Sequence, residues 1–405
     1  MHEMQFAAGR TSSDRPPCFD RLLSAVSAMT AACLAVAGRG LAAVVAALVV
    51  MVSVPAAHAQ IRVVDVLGRE VTLPRPAQRV MLGFYFEDYI AITGPTAIDR
   101  LAAVSLHYWK GYRPGQYAAY LAAVPKIADL VDVGDVDNGT MSVEKIVAAR
   151  PDVAILSAGQ YQYLGAAAAT IEAAGVPIVV VDYNAQTVEK HVASTLAIGK
   201  VMGADERAER LAREYEAAVA DTVARVASVT PPTRPKVYVE LGQKGPAEYG
   251  NSYGRGMWAG VLSLAGAANI AEGQIGNWGP LHPEYVLSAA PEAIFVTGSE
   301  WLQAPDAVLM GFGIAPELTR ERLRPYLDRP GWRNLPAVRD GNVYAIYHGG
   351  TRTLYDYVYL RYIAKALHPE AFADVDPQAE LQRYYRANLP VTPDGTFMLR
   401  LGDPA

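Results

Sequence analysis

Hydrophobic and polar positions along this chain predict short strands that alternate with helices. The apolar runs read as strands lie at residues 61–66, 70–73, 79–83, 101–105, 153–156, 176–182, 236–241, 293–296 and 342–347. Segments with helical spacing separate most of these runs. Such alternation is typical of parallel sheets whose two faces are both covered by helices. The pattern therefore predicts an α/β fold.

One long amphipathic segment interrupts the alternation. From Asp205 to Val229, charged residues and apolar residues recur at helical spacing, and Pro231-Pro232 ends the run. A chain of 405 residues is too long for one ordinary core. We therefore predict two lobes with mostly parallel central sheets, at residues 60–203 and 233–405. A single long helix within 204–232 joins them, with a ligand cleft between the lobes.

A repeated segment supports two similar lobes. Residues 141–159 (MSVEKIVAARPDVAILSAG) and 281–299 (LHPEYVLSAAPEAIFVTGS) place Glu144 on Glu284 and Pro151 on Pro291. Each copy predicts a short helix with a carboxylate in its first turn, a proline that forces the chain to extend, and a buried strand. Matched lobes of this kind commonly bind ligands between them.

Composition and missing motifs reduce the number of functional classes that fit this chain. The chain is 51% hydrophobic and its net charge is −5, which indicates neither disorder nor nucleic-acid binding. Nucleotide-binding, zinc-protease and nucleophile-elbow motifs are absent from the sequence. Five histidines follow residue 59, and no cysteine does. These are few ligands for a metal-dependent enzyme, which remains a remote alternative.

The first 59 residues have the pattern of a signal peptide. Arginines precede an apolar run at 41–54, and Pro55 and Ala57-His58-Ala59 follow it. We predict cleavage after Ala59 and a periplasmic protein. A membrane anchor is the alternative, since a second apolar stretch lies at 22–37, and Cys33 follows a weak lipoprotein pattern. Cleavage would remove both cysteines and leave no disulfide.

The layout resembles the substrate-binding proteins of ABC importers for iron-siderophores, haem and cobalamin. The similar segments are the hairpin turn DVLGR at 65–69, the strand that begins with RV at 79–80, and AKALHP at 364–369. In that family one long helix joins two α/β lobes, and one glutamate on each lobe docks onto arginines of the permease. The resemblance implies that Glu144 and Glu284 are these docking residues. Alternatively, both only stabilise a helix dipole.

Ligand contacts are expected in the loops after the strands, because ligands bind beyond the carboxyl ends of such sheets. Tyrosine combines an apolar face with a polar tip, and basic residues answer the negative charge of a chelate. The candidate residues are Tyr85, His107, Tyr108, Lys110, Tyr161, Tyr253, Arg255, Trp278, Trp301, His348 and Arg352. Simple rim packing is the alternative for each tyrosine, and backbone pairing for each histidine.

We expect the ligand to be an iron(III) chelate of the siderophore type. Haem, a cobamide, or a free or small-chelate metal ion are alternatives. No permanently bound cofactor, direct metal ligand or catalytic residue is predicted. The expected partner is the dimeric permease of an ABC transporter, and the binding protein is expected to be a monomer. His191, within a helical run, is predicted to be a solvated surface residue, and His282 to belong to the docking surface.

Overall fold

The computed structural model describes residues 60–229, 232, 234–301 and 303–403. The predicted signal peptide and its cleavage site lie outside these residues. The predicted hairpin is present, with β1 (Ile61–Val64) antiparallel to β2 (Glu70–Leu73). Asp65 closes its turn by accepting hydrogen bonds from the backbone amides of Leu67 and Arg69 at 3.0 and 3.1 Å.

A five-stranded parallel sheet forms the core of the N-terminal lobe. Its strands are β3 (Val80–Leu82), β4 (Leu101–Val104), β5 (Val131–Asp132), β6 (Val153–Ser157) and β7 (Ile178–Val181), in the order β5-β4-β3-β6-β7. The helices of this lobe are α1 (Phe86–Thr93), α2 (Pro114–Ala123), α3 (Val143–Ala148), α4 (Ala158–Leu164), α5 (Ala167–Ala173) and α6 (Val188–Met202). The chain enters at the central strand β3 and fills one side before the other. This order places a topological switch point between β3 and β6.

The C-terminal lobe has a second five-stranded sheet with one antiparallel edge. Its strands are β8 (Lys236–Leu241), β10 (Ala268–Asn269), β12 (Ala293–Gly298), β14 (Val343–Tyr347) and β16 (Met398–Arg400), in the order β10-β8-β12-β14-β16. Only β16 runs antiparallel to its neighbour in this sheet. Two small antiparallel pairs join β9 (Asn251–Tyr253) to β11 (Trp278–Pro280) and β13 (Gly311–Phe312) to β15 (Gly395–Thr396). The helices are α8 (Trp258–Leu264), α9 (Pro283–Ala289), α10 (Pro316–Leu323), α11 (Pro336–Arg339), α12 (Asp356–Leu367) and α13 (Pro377–Asn388).

The helix between the sheets is α7 (Asp205–Ala227), which ends two residues before the predicted Val229. Its apolar stripe, which includes Leu211, Tyr215 and Val219, is buried. Burial of that stripe is the main reason why a helix of this length is stable. The predicted fold class, two α/β lobes joined by one long helix, is confirmed, while the exact domain boundaries stay a prediction.

The two copies of the repeated segment adopt the same structure. Helix α3 leads into β6, and α9 leads into β12. Arg150 and Ala290, at equivalent positions between helix and strand, both have positive φ angles, of 47° and 49°. Asp152 accepts a hydrogen bond from the backbone amide of Arg79, next to β3, at 3.1 Å, and Glu292 accepts one from the amide of Lys236 in β8 at 2.8 Å. The repetition therefore extends to backbone conformation and hydrogen bonds.

His191 was expected to be a solvated surface residue, and this prediction is wrong. Its side chain is fully buried on α6. Nε2 lies 2.8 Å from Oδ2 of Asp356, and the ring stacks on Tyr215 with 5.0 Å between centroids. Helical spacing did not indicate that His191 is buried, because its partner, the carboxyl group of Asp356, lies 165 residues away on the other lobe.

Candidate ligand cavity between the lobes

A cavity of about 340 Å³ lies between the carboxyl ends of the two sheets. This is the position at which doubly wound sheets bind ligands, and the volume is at the lower end of the roughly 300–1,000 Å³ of ligand pockets. The lining residues are Phe84, Tyr108, Tyr112, Arg113, Asp137, Leu241, Gln243, Tyr253, Arg255, Met257, Asn277, Trp278, Ser299, Trp301, His348 and Arg352. Both lobes contribute to this lining.

Aromatic rings cover much of the cavity wall. On the N-terminal lobe, Phe84 and Tyr108 pack edge to face with 4.9 Å between centroids. On the C-terminal lobe, Tyr253 and Trp278 are partners in the register of the antiparallel strands β9 and β11, and 57% of Trp278 is exposed. An exposed indole at the rim of a cleft offers a flat apolar surface to a ligand.

Three arginines and one aspartate set the charge of the lining. Arg113 comes from the N-terminal lobe, Arg255 and Arg352 from the C-terminal lobe, and Asp137 is the only carboxylate among the lining residues. Burial, together with the nearby charge of Arg113, lowers the pKa of Arg352 to about 10. The unfavourable proximity of like charges would be relieved by an anionic ligand, so the cavity is suited to negative charge.

His348 is the imidazole of the lining, and it is neutral. Burial lowers its pKa well below the ordinary value, and the charges of Arg352 and Arg113 lower it further. Its Nδ1 lies 3.3 Å from the hydroxyl of Tyr253 and 3.4 Å from that of Thr297. Burial also raises the pKa of Tyr253, which keeps its phenol protonated at neutral pH. The pair thus presents neutral hydrogen-bonding groups to the cavity.

Seven of the eleven candidates from the sequence lie together in the lining of this cavity. They are Tyr108, Tyr253, Arg255, Trp278, Trp301, His348 and Arg352. They follow β4, β12 and β14, or lie in or next to the antiparallel pair β9 and β11 that comes after β8. Seven of the predicted contact residues therefore lie together, and their contact with a ligand stays a prediction.

The other four candidates lie outside the lining. Tyr85 is buried beneath it, with its hydroxyl donating to Asn184 Oδ1 at 2.8 Å. His107 packs against Tyr112, and Lys110 is exposed above the ring of Tyr117. The hydroxyl of Tyr161 accepts a hydrogen bond at 3.0 Å from Arg69 of the β1–β2 turn, which holds this ring against the turn.

Several lining residues were not among the candidates. Phe84 and Tyr112 belong to the loops after β3 and β4, where ligand contacts were expected, but neither residue was predicted as a contact. Arg113 is five residues beyond Tyr108 in the same loop, so its charge and position were available signals. No comparable sequence signal marked Asp137 or Met257. Asp137 follows β5, a strand of only two residues, and Met257 precedes a helix.

Two buried carboxyl groups of the N-terminal lobe accept hydrogen bonds from the C-terminal lobe. Glu87 accepts hydrogen bonds from the hydroxyls of Tyr120, Tyr355 and Tyr385 at 2.9, 2.6 and 2.8 Å. Asp88 accepts one from the backbone amide of Leu354 at 2.7 Å. Burial raises the pKa of both carboxyl groups. Glu87 and Asp88 line a small adjoining cavity together with Arg113 and Arg352.

Glu144 and Glu284 are exposed in the first turns of α3 and α9. The caps of these helices come from other side chains, Ser142 and His282, which accept from backbone amides at 3.2 and 3.3 Å. Each helix ends beside the start of the strand that follows it, so its first turn lies toward the carboxyl ends of the sheet. Neither glutamate lines the cavity.

Within the part of the chain that the structure describes, no helix is both long and apolar enough to span a membrane. In the same residues, no three or more histidine, cysteine, aspartate or glutamate side chains are grouped as metal ligands would be.

Comparison with known proteins identifies the family. The family model described as "Periplasmic binding protein" matches residues 102–348. The TroA-like periplasmic binding protein FepB from Veillonella parvula has a similar structure, with a TM-score of 0.78 and 32% identity; the match covers 84% of this chain and 99% of that protein. No curated protein sequence matches the chain.

Two more distant structures share the fold alone. The molybdate-binding protein MolA of an ABC transporter from Haemophilus influenzae has a TM-score of 0.61 and 18% identity, over 82% of this chain and 99% of MolA. A periplasmic haem-binding protein from Pseudomonas aeruginosa has a TM-score of 0.51 and 19% identity, over 72% of this chain and 93% of that protein. By its family match and its likeness to FepB, the chain belongs to the periplasmic binding proteins, the solute-binding, extracytoplasmic components of ABC importers.

Proposed function

We propose that this protein captures a ferric chelate of the siderophore type in the cavity between its lobes and delivers it to a membrane permease. The observation that carries the proposal is the cavity lining, which combines aromatic rings with three arginines and a single aspartate. Siderophore chelates are bulky, partly aromatic and often anionic. Such a ligand would place its rings against Trp278 and Trp301 and its negative charge near the guanidinium groups.

A titration with three iron(III) probes tests the ligand class. The probes are a trianionic iron(III) tris-catecholate, a neutral iron(III) tris-hydroxamate and haemin, each added to purified protein while tryptophan fluorescence is followed. Trp278 and Trp301 lie in the cavity wall, so binding there should quench fluorescence. We expect the tightest binding for the trianionic chelate. Equal affinity for the neutral chelate would contradict the assigned role of the arginines.

Haem is the second candidate, and one contact favours it. Haem iron is commonly held by an axial histidine or tyrosine, and Tyr253 and His348 lie next to each other in the cavity. A sharp Soret band in the purified protein would indicate haem, whereas a broad visible charge-transfer band would indicate a ferric chelate. A cobamide or another metal chelate is the remaining alternative.

The proposed partner is a dimeric permease of an ABC transporter, which the protein meets as a monomer in the periplasm. Glu144 and Glu284 are the proposed docking residues. What supports this role is their exposure, the equivalence of the two helix starts, and the capping of both helices by other side chains. The carboxylates are therefore not needed as caps.

A further inference from the structure

Four residues with positive φ angles lie in the cavity lining or are connected to it by hydrogen bonds. Among the described residues, six that are not glycine have such angles, and Tyr85, Gln186, Met257 and Arg352 are four of these, with φ of 59°, 57°, 44° and 66°. A side chain makes this conformation unfavourable, and it persists only where surrounding contacts enforce it. Residues of this kind concentrate at ligand-binding sites.

The segment from Asn184 to Gln186, which follows β7, contacts the other three. Asn184 accepts a hydrogen bond from the hydroxyl of Tyr85 at 2.8 Å, and its backbone carbonyl accepts one from the amide of Met257 at 3.5 Å. Gln186 accepts a hydrogen bond from the backbone amide of Arg352 at 3.3 Å. One segment of the N-terminal lobe therefore contacts strained residues on both lobes.

Gln186 is the buried link to Arg352. Only 5% of Gln186 is exposed, and its amide nitrogen donates to the carboxylate of Asp356, which also pairs with His191. The amide group of Gln186 is thereby fixed in orientation, with its oxygen directed at Arg352. Close packing supports this placement, because a Cβ atom on Gly260 of α8 would lie only 2.8 Å from Cβ of Gln186.

Arg352 has few other restraints. Its guanidinium lies over the ring of Phe84, 5.3 Å from the centroid, and its Nε is buried without a hydrogen bond to any described protein atom. The direction of the side chain therefore depends on the backbone conformation of Arg352. That conformation is held by a hydrogen bond from the other lobe.

We infer that Gln186 is a positioning residue of the cavity: by holding the backbone of Arg352 at positive φ, it aims the guanidinium at the charged part of the ligand. The inference rests on the proposed function in that it assumes an anionic ligand. Gln186 does not line the cavity and acts only through Arg352. Loss of its carbonyl would leave the amide of Arg352 without an acceptor and allow the residue to relax to negative φ.

A double-mutant cycle tests the inference. Gln186→Met keeps the length of the side chain and removes its hydrogen bonds, and Arg352→Met removes the guanidinium. With the trianionic iron(III) tris-catecholate as probe, we expect Gln186→Met to weaken binding about fivefold. The double variant should bind no more weakly than Arg352→Met alone. Affinity for the neutral tris-hydroxamate should change less than about twofold in Gln186→Met.

The matched control is Gln382→Met, which removes a 3.0 Å hydrogen bond to the carbonyl of Pro393 away from the cavity. It should alter neither affinity. If Gln186→Met does not fold, Gln186→Asn, whose amide is one methylene too short to reach Arg352, replaces it. Equal losses for both probes, or additive losses in the double variant, would overturn the inference.

Crystal structures separate this inference from the proposed function. If the wild-type protein binds neither chelate, the proposed function fails, and the structures of the wild type and of Gln186→Met still decide the role of Gln186. We expect Arg352 to leave the positive-φ region in the variant and its guanidinium to leave the ring of Phe84. An unchanged Arg352 would refute the positioning role.

Discussion

Glu300 of the C-terminal lobe accepts a hydrogen bond from the backbone amide of Gly115 in the N-terminal lobe, at 2.9 Å. The amide of Gln116 donates to the same oxygen at 3.1 Å, and that of Phe312 to the other oxygen at 3.0 Å. Glu300 thus caps α2 across the lobes, where the helix dipole favours a carboxylate. Burial nevertheless raises its pKa to about 7, because the donors do not replace all the hydration that the charged group loses.

Glu300 should therefore make stability depend on pH. The folded protein holds a proton on this carboxyl group more tightly than the unfolded chain, where the pKa stays near 4.5. The free energy of unfolding should fall as pH rises through this interval, by roughly 3 kcal/mol from this group. Glu300→Gln cannot ionise and should lack this contribution. Urea unfolding of both proteins at about pH 5 and about pH 8 measures the difference.

The control variant is Glu317→Gln, because Glu317 is exposed and also lies in the first turn of a helix. The free energy of unfolding of this variant should follow that of the wild type at both pH values. A constant difference between the wild type and Glu300→Gln across the interval would show that Glu300 does not titrate there.

Arg255 should speed ligand capture. It is exposed in the cavity lining, and its side chain makes no hydrogen bond or ion pair with the described residues. Exposed charges act mainly on the association rate and are screened by salt. Arg255→Met should lower the association rate of a trianionic iron(III) chelate about three- to tenfold at low salt, and the loss should shrink as salt rises. Stopped-flow fluorescence measures the association rate. Arg62→Met, at an exposed position of β1, is the control.

Only a small rotation of the lobes is expected on binding. Bending α7 would break backbone hydrogen bonds along the helix. Side-chain bonds between the lobes add to this resistance, at Glu300, at Glu87 and between Asp356 and His191. Small-angle scattering of the free and the ligand-bound protein should give nearly the same radius of gyration. A large decrease on binding would contradict a rigid connection.

Transport should require both exposed glutamates. Glu144→Arg or Glu284→Arg would place like charges against the arginines of the proposed permease site. Removing one partner of a buried charge pair costs about 2–5 kcal/mol, and reversal should cost at least as much where the pair is desolvated. Cellular uptake should collapse in the double variant while the purified protein binds its chelate normally. Glu206→Arg, another exposed acid in the first turn of a helix, is the control.

A parallel loss of ligand binding in the Glu144→Arg and Glu284→Arg variants would show that these residues support the fold rather than docking. Persistent uptake would reject the docking assignment itself. Because 91% of the Glu284 side chain is exposed in the free protein, reversal there should leave its stability within about 0.5 kcal/mol of the wild type.

Local patterns accounted for the main helices and strands, while the ligand site stays a prediction. The length and spacing of the strand β7 and the helix α7 follow from which positions are apolar, and this information is present in each segment by itself. The repeat around Glu144 and Glu284 predicted equivalent helix–strand units, and these are present. Ligand contacts were expected in the loops after the strands because ligands bind beyond the carboxyl ends of parallel strands.

The direction of each side chain in those loops was not determined locally. Tyr108 and Tyr161 both follow strands, yet Tyr108 lines the cavity, while Tyr161 turns to Arg69. Arg113, which was not among the predicted contacts, lines the cavity between the two lobes. The partners of these side chains are distant in the chain, and no local pattern identifies them.

The sequence by itself determined two α/β lobes, a long connecting helix and a cleft lined by loop residues, because hydrophobic periodicity and turn residues act over a few positions. Only the tertiary structure decided which groups share the cavity, that His191 is buried, and that Gln186 reaches Arg352. Those outcomes depend on contacts between residues more than a hundred positions apart. Such contacts form only when the two lobes pack together, and burial then sets the charge and hydrogen bonding of each group.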